Sequence, residues 1–263
     1  MLRFVTLSKK QKTGSMSAIE KAKAMIFAAG FGTRLKPHTD FHPKALLKIN
    51  GKSLLERNIE YLKSFGIREF VINTHHFSGQ IHLFLSRYRN SDIKVDVSFE
   101  ENGPFETGGG LAYASKFLQT SNQPFVVMNA DILTNLNLSK LYDYHLAHQP
   151  LATLAVSERE SSRQFLFDDE MKLSGWKNNK TAELKLVNSS SSVESLKPYA
   201  FSGIHVIHPR IFKLMPASGT FSITNTYLDL ASTESIMGYN HTGDVVLDVG
   251  KPEAAITAGQ LFP

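Results

Sequence analysis

Apolar and polar positions fall into blocks along this chain. Residues 24–29 (AMIFAA) form an unbroken apolar run that ends in glycine, the pattern of a strand buried on both faces of a parallel sheet. Residues 53–65 (SLLERNIEYLKSF) place Leu55, Ile59 and Leu62 on one helical stripe, with Gly66 as the stop. Strand-like runs at 69–73, 95–99, 124–128 and 152–156 then alternate with helical stretches at 79–87, 108–117 and 138–148. Alternation at crossover spacing through about residue 157 predicts an α/β fold with a doubly wound, mostly parallel sheet.

The grain changes after residue 160. Residues 164–167 and 171–176 read as a hairpin around Asp168-Asp169-Glu170, followed by a polar loop at 188–195, a strand at 199–207 and helical turns. A late strand at 245–249 and a terminal helix at 252–260 close the chain. This predicts a small C-terminal β-rich insertion on the parallel sheet. No linker divides the chain, so residues 24–263 are expected to form a single domain. In doubly wound sheets ligands bind beyond the carboxyl ends of strands, which points to Gly30, Asn73, Glu101 and Asp131.

Composition narrows the function classes. Of 263 residues, 42% are hydrophobic and 20% charged, which excludes wholesale disorder. No apolar run approaches the roughly 18 residues of a membrane helix, so no membrane partner is expected. Cysteine is absent, which excludes disulfides, thiolate metal sites and a cysteine nucleophile, and agrees with a cytoplasmic location. Six basic residues before position 25 stand against Glu20 alone and account for the whole net charge of +5. That asymmetry argues against nucleic acid as a partner of the body of the protein. Residues 1–23 read as a basic, disordered arm; a transit peptide, a tag remnant and a true start at Met16 stay open as alternatives.

The segment Ala28-Ala29-Gly30-Phe31-Gly32-Thr33-Arg34-Leu35 carries the most chemistry. Two glycines after a buried strand allow a sharp bend whose amides can cradle an anion. The third glycine of a dinucleotide fingerprint is replaced by Leu35, and no Gly-Lys-Ser/Thr follows, so neither familiar glycine loop is present. By itself the pair also suits a plain tight turn. Arg34 adds a fork suited to phosphate oxygens, and Pro43-Lys44 adds a stiffly presented ammonium. Asp131 and Asp248 each follow an apolar strand. Two hard carboxylates suit Mg²⁺, although Asp131 also suits a turn cap and Asp248 a cap ahead of Pro252.

Taken together, AAGFGTRL, Pro43-Lys44 with Gly51, Glu106-Thr107-Gly108-Gly109-Gly110, Asn129-Ala130-Asp131 and Leu247-Asp248-Val249-Gly250 resemble the sugar-1-phosphate nucleotidylyltransferases, from about Lys23 to the C-terminus. The ETGGG run and PYAFSGIHVIHP are similar to the N-acetylmuramate-1-phosphate uridylyltransferases of peptidoglycan recycling. Mannose- and heptose-1-phosphate guanylyltransferases are the near competitors. The chain departs from the pattern at Ala130, often Gly, and at Val246, often Trp. It also lacks the second-half Glu-Lys-Pro that many relatives use on the sugar phosphate.

The resemblance implies a Rossmann-like nucleotidyltransferase fold that transfers a nucleotidyl group from a nucleoside triphosphate, UTP favoured, to a sugar 1-phosphate. A non-catalytic nucleotide-sugar sensor is the rival class. Arg34 and Lys44 become the catalytic candidates. Ala28, Ala29, Gly30, Gly32, Thr33, Asn73, Glu101, Thr107, Gly108 and Gly109 are expected around the nucleotide. Asn129, Phe201, Ser202 and Gly203 are expected on the sugar side, with Asp131 and Asp248 on Mg²⁺. His145 and His148 lack a third ligand and are expected to be exposed helix histidines.

Overall fold

The computed structural model describes residues 16–188 and 192–263. The chain opens with β1 (Lys23–Phe27), a short β2 (Lys48–Ile49) and β3 (Lys52–Ser53), and helix α1 (Leu54–Ser64). Next come β4 (Glu69–Thr74), α2 (Ser78–Leu85), β5 (Lys94–Phe99), α3 (Glu106–Tyr113) and α4 (Ser115–Leu118). They are followed by β6 (Phe125–Asn129), β7 (Ile132–Thr134), α5 (Leu138–His148), β8 (Ala152–Ser157), β9 (Arg163–Phe167), β10 (Leu173–Asn178) and β11 (Glu183–Leu186). The last part holds β12 (Lys197–Ile207), α6 (Ile223–Leu230), β13 (Ile236–Asn240), β14 (Val246–Asp248) and α7 (Pro252–Leu261).

Local chemistry sets the ends of these elements. The Ser53 hydroxyl caps α1 by accepting from the Glu56 amide at 3.1 Å. The Asn137 side chain does the same for α5 through the Lys140 amide. Gly66, at φ +91°, ends the first helical segment in a conformation that only glycine adopts without strain.

The central layer is one mixed sheet of ten strands with helices on both faces, as the strand-helix alternation predicts. Its first half is parallel and runs β5-β4-β1-β6. Chain order goes outward from β1 through β4 to β5 and then returns to β6 on the other side, so the switch point lies between β1 and β6. Alternate residues of β1 serve opposite cores: Ala24 and Ile26 pack with α1 and α5, while Met25 packs with α3, α4 and α6. Phe27 pairs with Asn73 on one side and Asn129 on the other, which aligns the carboxyl ends of three strands in one row.

The second half departs from simple expectation. The expected insertion is continuous with the central sheet: β12 runs antiparallel to β6, β8 and β9, and β10 and β11 extend the layer outward. The late strand is not in the main sheet at all; β14 pairs antiparallel with β7, with Asp248 opposite Ile132. The boundary of the N-terminal arm also moves. Ile19 and Ala22 are buried in the core at 3% and 2% exposure, and Lys23 already belongs to β1. Two apolar side chains there gain more from burial than a loose arm would. The rest of the arm, residues 1–15, and part of the polar loop, 189–191, lie outside the described residues. Among the described residues, no helix is long and apolar enough to cross a membrane.

Candidate active site

A cavity of about 350 Å³ opens at the β1/β6 switch point, floored by the carboxyl ends of these strands and walled by the glycine loop. Within that loop Gly32 takes a left-handed conformation (φ +64°), and a Cβ there would come within 2.8 Å of the Lys44 side chain. Glycine is required on both counts. A Cβ on Gly30 would meet nothing within 4 Å, so this glycine leaves open space rather than relieving a contact. Thr33–Leu35 then forms a single 3-10 turn that carries Arg34. Ala28, Ala29, Gly30, Gly32, Thr33 and Arg34 all line the cavity.

Lys44, Asn73, Thr107, Asn129 and Asp131 line it as well. Lys44 follows Pro43, which sits extended at φ −67° and presents the next turn to the cavity. The Lys44 ammonium pairs with the Asp131 carboxylate, both side chains largely covered. The Asp131 carbonyl accepts from the Val249 amide at 2.8 Å, which ties the end of β6 to the strand that carries Asp248.

Asp248 stands beside the cavity rather than in its lining. A Cβ on Gly250, itself in the lining, would fall 2.7 Å from Asp248 Oδ1 and 2.8 Å from Arg34 Nη2, so these opposite charges face each other across that glycine. Although Asp248 has exposed surface as a residue, its carboxyl is crowded. Burial first, and then the nearby Asp131 charge, raise its pKa, against the lowering influence of Lys44, Arg34 and Arg159. Segments far apart in sequence thus bring Arg34, Lys44, Asp131 and Asp248 together.

Other expected site residues are placed differently. Glu101 is exposed and off the cavity; its neighbour Glu100 lines it, at 1% exposure. Successive residues at a strand end point opposite ways, so a slip of one position exchanges the inside for the outside. The Glu100 carboxylate accepts from the Asn73 amide at 2.7 Å and from the Phe105 backbone N–H at 2.8 Å. Asn73 Oδ1 in turn accepts from the Ala28 N–H at 2.6 Å. Burial raises the Glu100 pKa, opposed by these two hydrogen bonds and by His75. Glu100 therefore braces the end of β4 against the glycine loop.

The Gly108 and Gly109 amides both donate to the Phe221 carbonyl. A Cβ on either would collide with the 219–221 segment, at 2.4 Å from Phe221 or 2.1 Å from the Gly219 carbonyl. Their smallness lets α3 approach its own chain, and neither lines the cavity, where the sequence places them around the nucleotide. Thr107 lines the cavity, but its hydroxyl accepts from the Ile223 N–H at 3.1 Å.

On the expected sugar side only Asn129 reaches the cavity. Ser202 is fully buried and bonded to His241 Nε2 at 2.9 Å. Phe201 packs its ring against Phe165 and His205. Gly203, at φ +70°, lies in a β12 bulge where a Cβ would come within 2.8 Å of Asn129 Nδ2. These three support the wall from behind: the β12 bulge between Phe201 and His205 packs the Phe201 ring and the Ser202 hydroxyl into the protein and sets Gly203 against Asn129. His145 is also not exposed: it is buried, bonded to Thr153 at 2.9 Å, and desolvation lowers its pKa to about 3. Among the described residues no group of three or more His, Asp or Glu gathers around a point.

Sequence reasoning missed Glu100, although it directly follows the end of β5 and was within reach of the strand-end rule.

The fold itself defines a doubly wound α/β protein with a ligand cleft at its switch point. Residues 23–165 match the nucleotidyl transferase family. An N-acetylmuramate alpha-1-phosphate uridylyltransferase of Neisseria meningitidis is 32% identical over 231 residues, covering 87% of this chain and 93% of that protein. Mannose-1-phosphate guanylyltransferase 1 of Arabidopsis thaliana is 26% identical over 91% of this chain, which spans 64% of the plant protein's length. In fold, HddC from Yersinia pseudotuberculosis superposes with a TM-score of 0.72 at 23% identity, covering 92% of this chain and all of that one. The chain belongs to the nucleotidyl transferase family and is a nucleotidyltransferase.

Proposed function

We propose that the protein transfers a nucleotidyl group from a nucleoside triphosphate to a sugar 1-phosphate, with UTP and N-acetylmuramate 1-phosphate as the favoured pair. The observation that carries the reading is the convergence of Arg34, Lys44, Asp131 and Asp248 at the glycine-loop cavity. The choice of pair rests on the 32% identity to the Neisseria enzyme.

In the reaction a phosphate oxygen of the sugar 1-phosphate attacks the α-phosphorus. A new P–O bond forms, the bond to the bridging oxygen breaks, and pyrophosphate leaves with its electron pair. The nucleophile is already anionic, so no general base is needed. Two unit negative charges at 4 Å repel by about 1 kcal/mol in water and about 4 at an effective dielectric of 20. Neutralising and positioning the two anions is the main task.

The amides from Gly30 to Thr33 wrap the triphosphate, Arg34 holds the departing pyrophosphate, and Lys44 bears on the α-phosphate. Asn73, fixed by Glu100, keeps the loop at the right height. Two hard carboxylates close together, the Asp248 pKa raised first by burial and then by Asp131, are a donor set that fits Mg²⁺; Asp131 and Asp248 would hold it. Bound there, the ion supplies charge neutralisation to the phosphate oxygens.

The test is pyrophosphate release across a panel of triphosphates and sugar 1-phosphates in Mg²⁺. UTP with N-acetylmuramate 1-phosphate is expected to give the highest kcat/KM. Preference for GTP with mannose or heptose 1-phosphate would overturn the choice of pair. Nucleotide binding without release from any pair would overturn the enzymatic reading in favour of a sensor.

A further inference from the structure

β8 and β6 are both antiparallel to β12, so they are parallel to each other and end at the same edge of the sheet. Arg159 follows the end of β8, as Asp131 follows the end of β6. Across the sheet the order is β1, β6, β12, β8. The glycine loop with Arg34 therefore lies on one side of Asp131, and Arg159 on the other.

The Arg159 side chain is only partly engaged. Its Nη2 donates to the Phe201 carbonyl at 2.8 Å. Its Nε is buried with no hydrogen-bond partner among the described residues, and no carboxylate there lies within ion-pair distance of the guanidinium. Asp248 acts on it from farther away, and burial lowers its pKa. Buried His241 also faces it, and its own pKa is lowered chiefly by desolvation. A buried N–H without an acceptor and a guanidinium without an anion are both costly. The buried Nε is out of reach of a ligand, so the hydrogens that an anion would complete are those of the two Nη atoms, of which one is spent on the Phe201 carbonyl. Its fork geometry matches phosphate and carboxylate oxygens. The β12 bulge between Phe201 and His205 sets the carbonyl that holds Nη2 and so aims the fork.

We propose that Arg159 binds an oxyanion of the sugar substrate, on the opposite side of the Asp131–Asp248 pair from the triphosphate. The assignment rests on the nucleotidyl-transfer reading above. Two sources share this chemistry: the 1-phosphate, common to all such substrates, and a carboxylate carried by the sugar, as on N-acetylmuramate.

The experiment compares wild type with Arg159→Met and Arg159→Lys in steady-state kinetics, varying each substrate in turn, with melting temperature as a fold control. Arg159→Met is expected to raise KM for the sugar 1-phosphate by about 10- to 100-fold while KM for the triphosphate stays within about 2-fold. Arg159→Lys is expected to fall between, and it carries the test should the Met variant not fold. N-acetylmuramate 1-phosphate and N-acetylglucosamine 1-phosphate separate the sources. Equal losses on both assign the fork to the phosphate, and a loss confined to the former assigns it to the carboxylate. An unchanged KM for the sugar phosphate in the folded variants, or a rise in the triphosphate KM instead, would overturn the assignment while leaving the reaction intact. No pyrophosphate from wild type with any pair would overturn both.

Discussion

The parallel half of the sheet and the mixed half build the same cleft in different ways. In the parallel half, β1 runs straight into the glycine loop, and Arg34 and Lys44 arrive on the first and third of three short local turns. Beyond it nothing is local: Asp248 reaches Asp131 only because β14 pairs with β7 in a small separate sheet, and Arg159 is brought toward Asp248 through β8 and β12 of the mixed half. Short-range backbone geometry supplies the glycine-loop wall of the cavity and its two cations, and long-range pairing supplies the second carboxylate and, on the reading proposed above, the far cation. Damage to the glycine loop and its cations should therefore act mainly on chemistry, while damage to the long-range pairings should mix chemistry with folding.

The sharpest probe of the local half is Lys44→Ala, expected to lower turnover about 10²- to 10³-fold with little change in melting temperature, read by pyrophosphate release and thermal unfolding. A loss of less than 10-fold would remove Lys44 from the chemistry.

The mixed half carries a pH sensitivity. His145 on α5 and His205 on β12 are buried, and desolvation lowers both to about 3. The unfolded chain takes up protons below about 6.5 and the folded chain does not, so stability is complete above that pH and falls as pH drops toward 3. From pH 7 to 5 the loss is about 2 kcal/mol for each histidine, measured by urea unfolding at both values. Stability that stays flat over this window would contradict the burial of neutral histidines.

Glu100 stands at the end of β5 in the parallel half and is the exception there, because it braces β4 against the glycine loop. Glu100→Gln leaves either the Asn73 or the Phe105 N–H without an acceptor, a cost of about 1–3 kcal/mol by chemical denaturation. A rise in triphosphate KM should accompany it. Glu101→Ala, one residue on, should change stability by less than about 0.5 kcal/mol and leave KM alone. Reversed effects would mean that the strand-end register is wrong.

The same contrast explains what was legible in the sequence. The AMIFAA run, the Leu55-Ile59-Leu62 stripe and the Ser53 cap are local signals, and β1, α1 and the glycine loop form where they indicate. Strand β7 has only three residues and β13 is interrupted by Gly238, so neither carries a period to read. Glycine composition marked 108–110 as special but could not reveal that the approaching atoms belong to Phe221 and Glu100. Ser202 and Gly203 were placed toward the substrate from a motif, yet the bulge in β12 turns the Ser202 hydroxyl onto His241 and sets Gly203 against Asn129.

The central claim is that Asp131 and Asp248, contributed by the end of β6 and by the separate strand β14, act as one unit. The most direct measurement is kcat for Asp131→Ala, Asp248→Ala and the double variant at saturating substrates and Mg²⁺. Each single change is expected to lose about 10²- to 10³-fold, and the double change little more than either. A single variant that keeps more than half of wild-type turnover would contradict the account.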